Sequence, residues 1–270
     1  MPESTKDTYT HGHHESVVKS HSERSAADSA GFLLPHLDAS MRLLDVGCGP
    51  ATISCDLAGH VREVVGIEPP GTVLDTARSN TATRGIANIS FETASVYELP
   101  FEDDSFDVAY AHQVLQHLSD PVAAIKEMVR VTASGGVVAL RDADYHAFAW
   151  HPQPPELDRW MELYQAVARR NDAEPNAGRY LLEWALAAGV PRSTITASAS
   201  TWLKDTPEAT NVWGQTWRDR SIKSSFAEQA IEYGLTTTEE LQAISAAWLK
   251  WGTHKAAWYL IPHGEILISP

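Results

Sequence analysis

A short loop with two glycines contains the residues best suited to chemistry in this sequence. The run DVGCGPA, residues 45–51, follows an apolar stretch and precedes a helix-like pattern. Because glycine has no Cβ, the backbone of such a loop can approach a ligand closely, and the following helix N-terminus favours polar or anionic groups. Glu68, at the end of the next strand-like run, can accept hydrogen bonds from both ribose hydroxyls of a nucleoside. Together they predict a nucleoside site at the ends of neighbouring strands.

Other nucleotide-binding loops explain these residues less well. A phosphate-binding P-loop requires Gly-Lys-Ser/Thr, which does not follow the glycines. A dinucleotide fingerprint requires a third glycine at the position of Thr52. Asp45 would repel a pyrophosphate, whereas its carboxylate suits a ligand with a cationic portion. A nicotinamide-dependent oxidoreductase is therefore the weaker alternative.

Alternating strand and helix patterns surround the loop. Short apolar runs predict buried parallel strands at 41–46, 63–68, 88–95, 105–113 and 137–144. Helical patterns separate them, and one begins where an aspartate cap precedes proline, at 120–121. Five strands with helical crossovers predict an α/β fold with a doubly wound parallel sheet.

The chain changes character after residue 142. All nine tryptophans follow this point. Long helical patterns are predicted near 155–171, 176–188, 207–233 and 237–252. Two strand-like runs, 193–201 and 257–269, accompany them, and the second is a candidate edge partner of the main sheet.

Four motifs occur in order over residues 40–142: DVGCGPA, GIE, LPFEDDSFDVAYAHQVLQHLSDP and RVTASGGVVAL. With these motifs the chain resembles class I S-adenosylmethionine-dependent methyltransferases of the UbiE-like, ubiquinone/menaquinone-biosynthesis type. The resemblance implies a seven-stranded, mostly parallel Rossmann-like sheet with helical additions. It implies S-adenosylmethionine as cofactor and S-adenosylhomocysteine as product. Three regions follow: an N-terminal lid and helix at 1–40, a cofactor-binding core at 41–142, and a helical substrate cap with the final sheet strands at 143–270.

The same resemblance implies cofactor contacts by position. Residues of the glycine loop surround the methionine portion, Glu68 holds the ribose, and the end of the fourth strand faces the transferring methyl group. The implied cofactor-binding set is Asp45, Gly47, Cys48, Gly49, Glu68, Pro69, Ser95, Val96, His112 and Gln113. Ala51 stands where the family usually has a third glycine, and Ser95 stands where it usually has an acidic residue near the adenine.

Candidate catalytic residues follow the fourth and fifth strands. Methyl transfer from a sulfonium needs mainly orientation and a dry pocket, and a base helps only if the acceptor must lose a proton. His112 is the first candidate base because imidazole titrates near neutral pH; a hydrogen-bonded pocket histidine is the alternative. Asp142 and His146 are further catalytic candidates, against a loop or capping role. His117 is expected to be structural.

Candidate substrate contacts come from three parts of the chain. Aromatic walls bind flat or hydrophobic acceptors, although core packing is the alternative for most of the tryptophans. Arg141 or Arg218 is a candidate anchor for an acidic substrate group. The predicted substrate-binding set is Tyr9, His14, Arg141, Trp150, Trp213 and Trp217.

Composition limits the classes of partner. Among 270 residues, 21 are Lys or Arg and 35 are Asp or Glu, for a formal charge of −14. Without a basic cluster, a nucleic-acid partner is not expected. The sequence has neither an 18-residue apolar run nor a signal-peptide pattern, so a cytoplasmic protein without a membrane span is expected. Cys48 and Cys55 are predicted to be buried thiols, and no metal site is predicted.

These observations predict methyl transfer from S-adenosylmethionine to a small, hydrophobic or aromatic metabolite, at an oxygen, nitrogen, sulfur or carbon atom. The expected protein is a monomer or homodimer with a small-molecule substrate. The alternative is a protein that binds S-adenosylmethionine without transferring its methyl group, as a regulator or a non-methylating catalyst.

Overall fold

The computed structural model describes Asp7, residues 24–70 and residues 74–270. The predicted substrate contacts Tyr9 and His14 lie outside the described residues. Helix α1, Ala26–Ser29, begins the continuous part and is capped by Ser25, whose side chain accepts a hydrogen bond from the Asp28 N–H. It is much shorter than the helix that the apolar spacing of residues 22–35 predicts.

One eight-stranded sheet organises the part of the chain that the structure describes. Its strands are β1 Arg42–Val46, β2 Glu63–Glu68, β3 Ile89–Thr93, β4 Phe106–His112, β5 Thr132–Ala143, β6 Ala149–His151, β7 Ile195–Lys204 and β8 Trp258–Ile268. The order is β3-β2-β1-β4-β5-β8, with the pairs from β3 to β5 parallel. Strand β8 runs antiparallel to β5 and β6 along one edge and to β7 along the other. The predicted sheet is confirmed, with the three-residue β6 as an additional strand.

The position of the last strand differs from the prediction. Strand β8 lies inside the sheet, and β7 forms the edge. Nearly every second residue of β8 is buried, whereas most of β7 is exposed or partly exposed. The aliphatic pattern of β8 fits either place, and only the pairing of distant strands distinguishes them.

Short helices form the crossovers of the parallel half. They are α2 Thr52–Leu57 after β1, α3 Leu74–Thr83 after β2, and α4 Pro121–Val131 after β4. The side chain of Asp120 accepts a hydrogen bond from the Ala123 N–H, and Pro121 occupies the first helical position. The predicted start of α4 is therefore present. These crossovers place the ends of β1, β2 and β4 at one edge of the sheet.

A helix from the C-terminal half belongs to the sheet core. Helix α6, Leu181–Ala187, packs beside α4, and its buried Leu181 and Ala185 join the core beneath β4, β5 and β8. The pattern at 176–188 is therefore a short 3-10 turn followed by a helix of the sheet layer. Its apolar residues cover the sheet, which excludes this segment from the helical cap.

The remaining helices build a second, aromatic core. They are α5 Pro155–Arg170, α7 Pro207–Lys223, α8 Ser225–Glu232 and α9 Thr238–Gly252. The single helix expected at 207–233 is divided at Ser224, whose backbone is extended and whose Oγ donates to the Arg220 carbonyl. Trp160 lies near the centre, with ring centroids 4.4 Å from Trp217 and 4.9 Å from Trp248. None of the helices that the structure describes is long and apolar enough to cross a membrane.

Candidate active site

The carboxylate that ends β1 is buried beneath the glycine loop. Asp45 is 3% exposed, and its Oδ2 accepts a hydrogen bond of 2.6 Å from the Ser54 Oγ on α2. Burial, with a smaller contribution from the negative charge of Glu68, raises the pKa of Asp45 to about 7. An ionised Asp45 is therefore costly until a positive charge or a hydrogen-bond donor reaches it.

A second carboxylate closes the same loop from β2. The Glu68 Oε1 accepts a hydrogen bond of 2.6 Å from the Gly49 N–H. Burial raises the pKa of Glu68 as well. The loop therefore has two carboxylates in an environment that favours their neutral forms. A cationic ligand that also offers hydroxyl donors would reverse this preference.

Backbone conformation explains the loop glycines. Gly47 has φ +71°, and a Cβ there would lie 2.5 Å from the Val114 Cγ2. Gly49 has φ +55°, and a Cβ there would have no atom within 4 Å among the described residues. Gly47 therefore permits close packing against the turn after β4, while Gly49 borders open space. Ala51, where the family usually has glycine, also adopts a left-handed conformation with φ 60° and is fully buried.

The other predicted cofactor residues contribute in different ways. The Cys48 Sγ points toward the sheet, because a Cβ on Gly66 would lie 2.9 Å from it. Burial raises the pKa of the Cys48 thiol, so the side chain stays neutral. Pro69 and Ser95 are exposed at the ends of β2 and β3, while Val96 is buried. The Ser95 Oγ accepts a hydrogen bond from the Tyr97 N–H.

His112 ends β4, and it and the next residue, Gln113, lie in different environments. Gln113 has φ 55°, and its side chain contacts Arg24 through Oε1 and His263 through Nε2, each at 2.8 Å. His112 is 6% exposed, and its ring lies 5.5 Å from Trp202, with Nδ1 3.4 Å from an Arg141 nitrogen. The structure therefore places Gln113 at the accessible edge and His112 inside the sheet layer.

Two of the predicted residues, Arg141 and Asp142, lie at the end of β5, and His146 follows in a short 3-10 turn. Arg141 is buried and pairs with Glu265 at 3.1 Å, so its predicted role as a substrate anchor is corrected. Asp142 is also buried; its Oδ1 accepts a hydrogen bond from the Gln116 N–H, and burial raises its pKa to about 8. Asp142 therefore stabilises the turn after β4, which corresponds to the capping role that the sequence offered as the alternative to catalysis. His146 is exposed and does not line the cavity described next.

A cavity of about 610 Å³ lies between α7, the ends of β7 and β8, and the turn after β4. We call it the α7 cavity. Its aromatic lining residues are Tyr145, Phe148, Trp202, Trp213 and Trp217. Its charged lining residues are Arg24, Asp28, Lys204, Glu208 and Arg220, and its amide and imidazole groups are Gln113, Gln116 and His117. Its volume is in the range of small-molecule sites.

Two of the three predicted wall tryptophans line this cavity. Trp213 and Trp217 do, whereas Trp150 packs in the aromatic core with its ring stacked 5.7 Å from Tyr259. Trp150 lies on β6, whose pairing with β8 directs it into that core. Lys204 and Arg220 were missed by sequence reasoning. Only their positions in the sequence could have indicated that they line the cavity. Lys204 ends β7, and Arg220 follows Trp213 and Trp217 at helical spacing.

The α7 cavity adjoins the glycine loop through consecutive residues. Gln113 lines the cavity, and the next residue, Val114, packs against Gly47 of the loop. The acidic loop and the aromatic cavity therefore share one wall. A doubly wound sheet of this order, with carboxylates at the ends of β1 and β2 around a glycine loop, is typical of a class I methyltransferase.

Comparison with known proteins supports this class. The chain matches the family described as a methyltransferase domain over residues 37–207. It is 32% identical over 267 residues to an uncharacterized methyltransferase of Schizosaccharomyces pombe, covering 96% of this chain and 95% of that protein. It is 33% identical over 129 residues to the O-methyltransferase resE of Aspergillus sclerotiorum, covering 47% of this chain and 48% of that protein. The YcgJ protein of Bacillus subtilis has a similar fold, with a TM-score of 0.56, 18% identity and coverage of 88% and 97%.

The chain therefore belongs to the methyltransferase-domain family and is an S-adenosylmethionine-dependent methyltransferase. The predicted fold, enzyme class and cofactor are confirmed. The residue set fits this cofactor, because the buried Asp45 and the partly buried Glu68 adjoin a loop whose Gly49 borders open space.

Proposed function

We propose that this methyltransferase acts on a small, hydrophobic or aromatic metabolite bound in the α7 cavity, as expected for the UbiE-like branch. The observation that carries the proposal is the wall shared by the aromatic cavity and the glycine loop at Gln113 and Val114. This arrangement suits an acceptor atom brought to the edge of the cofactor site. The oxygen acceptor in the name of the resE relative makes a hydroxyl the first acceptor to test.

The glycine loop and its carboxylates would hold the cofactor. Asp45 would attract the positive methionine portion, and Glu68 would exchange its hydrogen bond with Gly49 for the ribose hydroxyls. Pro69, Ser95 and Val96 would border the adenine. S-adenosylmethionine supplies an activated methyl group with a neutral leaving group when it is bound. The protein then contributes orientation and exclusion of water.

The cavity histidine is unsuited to removing a proton from the acceptor. Burial, with a contribution from the positive charge of Arg24, lowers the pKa of His117 to about 3. A neutral imidazole of such weak basicity holds little of a proton in the transition state. His112 is absent from the cavity lining that the structure describes. We therefore propose that orientation, rather than the predicted histidine base, provides most of the catalysis.

The N-terminal region is also proposed to take part. Asp7 accepts hydrogen bonds of 2.9 Å from the Ser119 N–H and the Tyr97 hydroxyl. Arg24 donates to the Gln113 side chain on the other side of the turn after β4. These three hydrogen bonds, made by Asp7 and Arg24, support the proposal that the predicted lid region, 1–40, borders the site.

The experiment has two stages. Calorimetry with S-adenosylmethionine and S-adenosylhomocysteine first measures cofactor binding, and release of S-adenosylhomocysteine is then measured with phenols, quinones, amines and thiols. We expect both nucleosides to bind and at least one acceptor to support release. No binding at millimolar ligand would contradict the proposal, whereas binding without release from any acceptor would favour the non-methylating alternative.

A further inference from the structure

Positive charge dominates the interior of the α7 cavity. Arg220 is 5% exposed, and Arg24 and Lys204 are partly buried. The two acidic lining residues, Asp28 and Glu208, are exposed at the rim. Water and salt screen exposed charges far more than buried ones. An anion inside the cavity would therefore be attracted by the basic groups more than it would be repelled by the acids.

The basic groups lie over aromatic rings. The Arg220 guanidinium carbon is 5.2 Å from the ring centroid of Trp217. The Lys204 Nζ is 5.8 Å from the ring centroid of Trp213, and Lys204 forms no ion pair with any residue that the structure describes. An acidic group next to these cations would place its attached ring against the indoles. Charge and shape therefore favour the same ligand, a planar anion.

A hydrogen-bond acceptor lies on the same lining. Gln116 is 3% exposed, and its Oε1 has no hydrogen-bond partner within the described part of the chain. Its Nε2 lies 3.0 Å from the His117 Nε2, which can accept this hydrogen bond because the imidazole is neutral. The orphaned carbonyl oxygen is costly to bury alone. It suits a hydroxyl or amine donor on the ligand.

We propose that the α7 cavity binds an aromatic acid with a hydroxyl or amine donor. Its anionic group lies near Lys204 and Arg220, its ring packs against Trp213 and Trp217, and its donor reaches Gln116. This inference rests on the proposed function, since it names the substrate class of the same cavity. It replaces Arg141 and Arg218 as anchors, because Arg141 is paired with Glu265 and Arg218 with Asp219.

A pair of fluorescent probes tests the charge requirement on the full-length protein. 8-Anilinonaphthalene-1-sulfonate is an aromatic anion, and N-phenyl-1-naphthylamine has the same rings without the sulfonate. We expect the anion to bind at least tenfold more tightly and to be displaced by 1-hydroxy-2-naphthoate but not by 1-naphthol. Lys204→Gln should weaken binding of the anion about tenfold and leave the neutral probe unchanged. Equal affinities for the two probes, or no binding of the anion, would overturn the proposal.

The matched control is Lys250→Gln, which removes an exposed lysine of α9 outside the cavity. It should leave binding of both probes unchanged, and equal losses in the two variants would contradict the assignment. Circular dichroism checks that both variants are folded. A thermal midpoint equal to that of the wild type makes a loss specific to Lys204→Gln a binding effect.

Turnover separates this proposal from the proposed function. With S-adenosylmethionine present, release of S-adenosylhomocysteine should show a KM about tenfold lower for 1-hydroxy-2-naphthoate than for 1-naphthol. Lys204→Gln should remove that difference by raising the KM for 1-hydroxy-2-naphthoate. Selective anion binding without any turnover would support the anionic site and contradict methyl transfer. Turnover with the same KM for both acceptors would support methyl transfer and overturn the anionic site.

Discussion

Asp45 shows how a residue that is proposed to bind the cofactor can oppose folding. Its carboxyl group is buried, and its described hydrogen bond comes from one hydroxyl, on Ser54. Because its pKa is raised from 3.8 to about 7, the native state retains a proton that the unfolded chain releases between these values. Stability should therefore fall as pH rises from about 4 to 7, and a bound cation would recover part of that loss.

Asp45→Asn should stabilise the cofactor-free protein and weaken cofactor binding. The amide keeps an oxygen for Ser54 but cannot ionise, so the variant should gain up to about 4 kcal/mol at pH 8. Loss of one charge-assisted contact should weaken S-adenosylmethionine binding about 10- to 100-fold. Urea unfolding between pH 4 and 8 and calorimetry measure the two effects. The exposed Asp205→Asn is the control, and an unchanged affinity in Asp45→Asn would contradict the assigned role.

Ala51 is a second residue under local strain. Its left-handed φ of 60° is unfavourable for a residue with a Cβ, by about 1 kcal/mol relative to glycine. The position caps α2, and the Ala51 carbonyl accepts a hydrogen bond from the Cys55 N–H. The conformation is therefore set by the start of the helix rather than by the alanine.

Ala51→Gly should raise the thermal midpoint by about 2–4 °C, as expected for a gain of about 1 kcal/mol in a protein of this size. Ala82→Gly is the matched control, because Ala82 is exposed in the right-handed helix α3, where glycine costs about 1 kcal/mol. The two identical substitutions should shift the midpoint in opposite directions. A decrease for Ala51→Gly would show that its methyl group contributes more by packing than its backbone loses by strain.

At the scale of elements, the position of α7 depends on close contact with α9. Gly214 and Gly252 face one another at the crossing of the two helices. A Cβ on Gly214 would lie 2.7 Å from the Trp248 carbonyl oxygen and 2.8 Å from the Gly252 Cα. These are backbone atoms, so the helices would have to separate. Helix α7 supplies much of the cavity wall, which makes this contact important for the site as well.

Gly214→Ala should destabilise the protein by about 1–3 kcal/mol through overpacking, although alanine has the better helix propensity. It should also weaken binding of the fluorescent anion, because the helix that bears Trp217 and Arg220 would move. Gln215→Ala, at the adjacent exposed position, should do neither. Urea unfolding and probe titration provide the measurements. A stability equal to or above that of the wild type would show that α7 and α9 do not require this close approach.

At the scale of the whole molecule, β8 joins the two halves of the chain. It pairs with β5 from the parallel half and with β7 from the C-terminal half. Buried and partly buried polar side chains link these three strands. Arg141 on β5 pairs with Glu265 on β8, and Glu265 also accepts hydrogen bonds from Ser198 and Ser200 on β7. Burial lowers the pKa of Arg141, which shows the cost of placing its charge there.

Glu265→Gln should destabilise the protein by about 3–5 kcal/mol, because the Arg141 charge would lose its buried partner. The double variant Arg141→Met with Glu265→Leu should recover most of that loss, since neither charge is then buried. Glu63→Gln is a matched control, because it breaks the more exposed Arg42–Glu63 pair and should cost at most about 1 kcal/mol. Chemical unfolding of the four proteins measures the differences. A loss in the double variant as large as in Glu265→Gln would contradict the desolvation argument.

The sequence by itself determined the parts of the protein that depend on nearby residues. Apolar runs predicted β1 to β5, Asp120 and Pro121 predicted the start of α4, and Asp45 with the glycines and Glu68 indicated the cofactor. These signals are local because strand ends, caps and tight turns depend on residues within a few positions. The tertiary structure decided the rest. Helix α6 packs in the sheet core, and β8 lies inside the sheet. Lys204 and Arg220 line one cavity with Trp213 and Trp217. Strand pairing and packing bring these residues together although they are distant in sequence, and no local sequence pattern indicates such contacts.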